Sequence, residues 1–167
     1  RAYNAESAYK LMDHGADVDA ANLEHKTALH HAAWRLNHAV VDALLWRGAN
    51  IDAVDVSNTT PLALALTLGH GHQDEENLDT DESCRYGDPS FQDYFDPQTS
   101  SGCFNLTIKA LLDGKPDLEV PGVASRTALM MPREPFATKL LLAAGADPIA
   151  KDEHQSTALM HAFLLRG

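Results

Sequence analysis

Two phrases return in this chain at one fixed distance, and no other feature narrows the fold as far. Gly15-Ala16-Asp17-Val18-Asp19-Ala20 returns as Gly48-Ala49-Asn50-Ile51-Asp52-Ala53. Thr27-Ala28-Leu29 returns as Thr60-Pro61-Leu62, and the step from Thr27 to Thr60 equals the step from Gly15 to Gly48. Thr127-Ala128-Leu129-Met130 and Thr157-Ala158-Leu159-Met160 are two further openings, and Leu140-Leu141-Leu142 with Gly145-Ala146-Asp147 is another ending. Self-similarity at this period means that each unit is one supersecondary element with an apolar face it cannot bury alone. Neighbouring units must therefore stack into one continuous core. In each unit the Thr is placed to cap a first helix, Pro61 fits the first helical position, and the Gly of each ending fits a left-handed stop after a second helix. Leu62, Leu64, Leu66 and Leu68 alternate as in a strand, but the repeat register makes them a first helix.

These phrases resemble the ankyrin repeat: a Thr-Pro-Leu-His-type first helix, a second helix ending Leu-Leu-x-x-Gly-Ala, and a projecting β-turn. The resemblance implies an all-α solenoid of helix–turn–helix units and covers nearly the whole chain except residues 71–104. The units read as a partial repeat over 1–21, an intact repeat over 22–54, an interrupted repeat over 55–120, an irregular repeat over 121–150 and a half repeat over 151–167. Ending on half a repeat leaves an apolar stacking face that includes Leu159, Ala162 and Phe163. More chain, a partner or a second copy is expected to cover it.

Two units depart from the pattern. Leu44 places the Leu-Leu pair of the third unit at position 77, yet Leu111-Leu112 carries it, so close to one further period of chain is inserted. Residues 71–104 hold nine carboxylates against Arg85 alone, and so carry most of the chain's net charge of −11. The half through Glu82 reads as solvated, whereas Tyr86, Phe91, Tyr94, Phe95 and Phe104 predict that the second half folds back on the body. The break falls at the turn between two helices, so the insertion is expected to loop out and to be dispensable for folding. In the fourth unit Pro132 lies where the first helix should continue, at a cost of about 3 kcal/mol in a helix interior. The expected result is one short turn, a break, and a second helix that starts at Pro135.

The charge balance opposes phosphate backbones and anionic lipid, so nucleic-acid binding is not expected. No apolar run is long enough to insert in a membrane. Cys84 and Cys103, the only cysteines, bracket the aromatic part of the insertion and could close it as a disulfide or remain two thiols. An intracellular, cytoplasmic setting favours the thiols. The nine His residues raise the question of a metal. His70 and His72, beside Asp74, Glu75 and Glu76, could ligate one, but no second ligand pair has a compelling spacing. Asp79-Thr80-Asp81 opens like a calcium loop without its Gly and closing Glu. Phosphate-loop, dinucleotide, nucleophile-elbow and zinc-protease motifs are missing. Neither a cofactor nor a catalytic residue is expected.

By resemblance, His30 ties neighbouring turns together through backbone hydrogen bonds, and partner proteins meet the β-turn tips and the exposed side of the first helices. The tip positions are Leu23, Glu24 and Lys26, then Val56, Ser57 and Thr59, then Val123, Ala124 and Arg126, then Glu153 and His154. On the first helices they are Trp34 and Arg35, then Thr67 and Leu68. Trp34 beside Arg35 pairs two residue types enriched at interface hot spots; the alternative is that Trp34 packs against the adjacent repeat. His31 and His161 share a register position that suggests packing. The function expected is non-catalytic protein–protein recognition by one module of a larger polypeptide, its partner basic if the acidic residues take part. The alternative is an enzyme or small-ligand protein whose site forms where the insertion covers the groove.

Overall fold

The computed structural model describes residues 5–68, 102–131 and 135–164. Its helices are α1 (Ala5–Asp13), α2 (Ala28–Trp34), α3 (His38–Trp46), α4 (Pro61–Leu68), α5 (Gly102–Asp113), α6 (Pro135–Ala143) and α7 (Ala158–Leu164), with short 3-10 turns at Val123–Ser125 and Ala128–Met130. Among the described residues there is no strand, only one isolated antiparallel bridge between Lys151 and Thr157. The alternating leucines of α4 are helical, as the register required.

The helices form two rows. One row runs α2, α4, the 3-10 turn at Ala128–Met130 and α7, each packed on the next; the other runs α1, α3, α5 and α6. The result is an all-α repeat solenoid. Equivalent leucines fill equivalent places. Leu29, Leu62 and Leu129 are buried in the inner row, and Leu44, Leu111 and Leu141 in the outer row. Each such side chain contributes about 1.5–3 kcal/mol relative to exposure. The inner leucine of the last unit, Leu159, is 68% exposed, and Phe163 is 75% exposed, because no further unit stacks on α7 here.

The interruption leaves the stack in register. The finger loops that begin at Asp55 and Gly122 stand two periods apart in sequence, yet they are neighbours in the stack. Helix α5 still packs between α3 and α6. It begins at Gly102, so residues 102–104 belong to the helix rather than to a loop, and Phe104 is buried in the core. The readings placed on residues 69–101, including the His-rich start and Cys84, lie outside the described residues, as does the side chain of Cys103.

In the fourth unit the first helix shrinks to Ala128–Met130 and α6 begins at Pro135, as the two prolines require. Pro132 itself lies outside the described residues. Helix ends show finer departures. Gly15, Gly48 and Gly145 are left-handed, with φ of 88°, 83° and 98°. In the third unit the glycine comes one residue early, and Lys115 takes the left-handed position at φ 56°. Gly114 answers a different need, since a Cβ there would lie 2.5 Å from Cδ1 of Ile51. The threonines also differ among themselves. Thr60 caps α4 by accepting from the Ala63 N–H at 3.2 Å. The Thr127 hydroxyl is buried without a hydrogen-bond partner, so the capping expected there is not made.

Candidate protein-interaction surface

Four loops project ahead of the inner row, over residues 22–26, 55–59, 122–126 and 152–156. Each is closed the same way: the first residue's N–H donates to the last residue's carbonyl, at 3.0 Å from Asn22 to Lys26, 3.1 Å from Asp55 to Thr59, 2.9 Å from Gly122 to Arg126 and 3.0 Å from Asp152 to Ser156. The fourth residue of each, His25, Asn58, Ser125 and Gln155, has a positive φ. Three loops carry an Asx side chain whose oxygen accepts two backbone N–H groups. Asn22 takes those of Glu24 and Lys26, Asp55 those of Ser57 and Thr59, and Asp152 those of His154 and Ser156. Gly122 has no such oxygen. Neighbouring fingers are tied together as well. The Val56 N–H donates to the Glu24 carbonyl at 3.1 Å, and the Asn58 side-chain amide donates to the Pro121 carbonyl. Backbones held this way present their tip side chains with little conformational entropy left to lose on binding.

His30 lies beneath two of these fingers with 0% exposure. Its Nδ1 accepts from the Thr27 N–H at 3.1 Å, and its Nε2 lies 3.0 Å from the Thr59 carbonyl. A ring that accepts at Nδ1 and donates at Nε2 is the neutral tautomer. Burial lowers its pKa, against the raising effect of the Thr59 bond. His30 thus clasps the second repeat to the third. Equivalent positions hold Ala63, Met130 and Met160, so this clasp has no copy elsewhere. His31 and His161 share a register position but not an environment: His31 is exposed, whereas His161 is buried with Nε2 2.8 Å from Oδ2 of Asp152. Desolvation works to raise the Asp152 pKa, but hydrogen bonds from Ser156, His161 and His154 hold it below its ordinary value.

The contact positions expected from sequence divide in three ways. Leu23 is 100% and Val56 63% exposed at their fingertips. Ser57, Arg126 and His154 are exposed beside them, and Glu24 pairs with Lys26 at 2.9 Å. On α2 and its C-cap the residues Ala28, His31, Trp34 and Arg35 form one exposed stripe at helical spacing. Trp34 is 43% exposed, with the Arg35 guanidinium 5.8 Å from its ring centroid. Thr59 is a correction: it is buried and its carbonyl is held by His30, so it offers no side chain to a partner. Thr67 is exposed, but its hydroxyl donates to the Leu64 carbonyl. Leu68 ends α4 and its side chain lies outside the described residues.

Two features went unread in the sequence. The Arg47 guanidinium lies over the rings of Tyr9 and Trp46 and pairs with Asp13. Tyr9 and Trp46 meet edge to face with centroids 6.2 Å apart. This cluster holds α1, which buries no residue of its own. A ladder of side-chain oxygens also links the loops. Asp19 accepts from the Asn50 N–H, Asp52 from Asp117 and Glu119 from Asp147, each at 2.8–2.9 Å. The return of an acidic residue two positions after Asp17, Asn50 and Asp117 was its signal. Among the described residues no three His, Cys, Asp or Glu side chains are placed to hold a metal ion.

Two rows of stacked helices with ordered fingers define a repeat solenoid built to present a surface. The pattern described as "Ankyrin repeats (3 copies)" matches residues 1–74, and that part of the chain carries ankyrin repeats. Ankyrin repeats are generally protein–protein interaction modules. The chain is also similar to the potassium channel AKT1 of Oryza sativa subsp. indica and to that of subsp. japonica. Each is 40% identical over 60 residues, 36% of this chain and 6% of the channel's length. Among the described residues no helix is long and apolar enough to cross a membrane.

Proposed function

We propose that this chain is a non-catalytic recognition module of a longer intracellular polypeptide, and that it binds a segment of a partner protein along its fingers and the exposed stripe of α2. One observation supports this above the rest: Leu23 and Val56 stand exposed on backbone turns that Asx bonds and an inter-finger bond hold fixed. Apolar side chains on ordered projections gain from being covered and lose little entropy when they are. Trp34 with Arg35 supplies the anchor residue types for the centre of such a contact.

A photoreactive residue placed at position 23, 56 or 34 should crosslink a partner protein in the cell of origin, while one at Lys139, exposed on outer helix α6, should not. With that partner in hand, replacing Trp34 and Arg35 together by Ala should weaken binding by more than about 1 kcal/mol with little change in melting temperature. If the double variant melts far earlier while its folded fraction binds unchanged, Trp34 is a packing residue and the reading fails.

A further inference from the structure

The chain's charge of −11 suggests a basic partner, but the carboxylates are not distributed evenly. We infer that the α2 stripe takes an acidic segment of its partner, one with a carboxylate beside an apolar side chain; this rests on the recognition reading above.

Most carboxylates near the fingers are already engaged. Asp55 and Asp152 belong to the fingers but are buried, their oxygens occupied by backbone N–H groups. Glu24 is exposed and neutralised by Lys26 at 2.9 Å. Asp19, Asp52 and Glu119 stand on the outer arm of each loop, between the outer helix and the fingertip, and are spent on the inter-repeat ladder. On the stripe itself, Ala28, His31, Trp34 and Arg35, there is no carboxylate. Arg35 forms no ion pair with any described residue, and its guanidinium is steadied 5.8 Å from the Trp34 ring centroid.

A guanidinium ordered against an indole keeps its planar fork available for a carboxylate and loses less rotamer entropy on pairing than a free arginine. The indole beside it is 43% exposed and supplies apolar area for an adjacent side chain. A basic segment would instead set like charges together at Arg35 with nothing on the stripe to offset them. Among the described residues, charge complementarity at the stripe therefore runs opposite to the net charge of the chain.

The test pans a phage-displayed library of random dodecapeptides against the whole chain and measures the enriched peptides by fluorescence anisotropy. Enriched sequences should carry Asp or Glu next to an apolar residue. Trp34→Ala and Arg35→Gln should each weaken binding at least tenfold with the helical circular dichroism unchanged, and added salt should weaken it further. In the Arg35→Glu variant, a peptide whose acidic residue is changed to Lys should bind better than the original peptide. Peptides that need Trp34 but carry Lys or Arg, or that ignore Arg35→Gln, would overturn the acidic partner and leave the recognition reading standing. Peptides that bind equally well to Trp34→Ala would overturn the acidic stripe, and peptides that also bind equally well after Leu23→Ala with Val56→Ala would overturn both.

Discussion

Replacing His30 by Ala tests how the second and third repeats are joined. The imidazole is fully buried and satisfies two backbone groups, the Thr27 N–H at 3.1 Å and the Thr59 carbonyl at 3.0 Å. Without it both are left buried and unpaired, at about 1–3 kcal/mol each. The cavity adds a further increment because the surrounding helices relax only in part. A loss of about 4 kcal/mol is expected, a large share of the roughly 5–15 kcal/mol that holds a domain together. With a urea slope of about 2 kcal/mol per molar, the midpoint of unfolding should fall by roughly 2 M. The exposed neighbour is the control, and His31→Ala should stay within about 0.5 kcal/mol of the parent. The loss should also depend on pH. Burial depresses the His30 pKa below its ordinary value of 6.5, so as the medium is acidified the unfolded chain binds a proton here before the folded chain does. The clasp's contribution is complete above about pH 6.5 and is lost as pH falls through the folded value. Urea unfolding followed at the helical circular dichroism band, for parent and variant at neutral and mildly acid pH, measures both effects. A loss below about 1 kcal/mol, or one as large in acid as at neutrality, would refute the neutral-clasp reasoning.

Three other outcomes follow from the same packing. Thr107→Val should stabilise the protein by about 1 kcal/mol in urea unfolding, because the Thr107 hydroxyl is fully buried without a hydrogen-bond partner and Val keeps its shape. Lys115→Gly should raise the melting temperature by relieving a left-handed lysine. The hydrogen bonds to Asp152 hold its pKa below the ordinary 3.8; their contribution is present above that value and lost as pH falls through the folded one. Asp152→Asn should therefore flatten the acid limb of a stability–pH curve.

The architecture was legible in the order of residues alone. Helix openings and endings that return at a fixed period settle which residues share a place in the stack, and equivalent leucines are buried wherever a neighbour exists. The interruption after α4 and the broken fourth unit were legible too, because a displaced Leu-Leu pair measures an insertion and prolines act on the backbone whatever surrounds them. The finger positions could be read because turns of this kind are set by their own few residues.

Contacts between repeats could not be read this way. His31 and His161 are the same residue in the same register, yet one faces solvent and the other holds a buried Asp152, because residue 152 is Asp where its counterpart is Asn22. Thr59 reads as a fingertip residue in one repeat's pattern but is buried, and a histidine of the previous repeat holds its carbonyl. Lys115 in place of the expected glycine and the Tyr9–Trp46–Arg47 cluster share one cause. Each depends on which side chains from separate units meet in space, and a repeat period says where units lie without saying what their unlike residues do to one another.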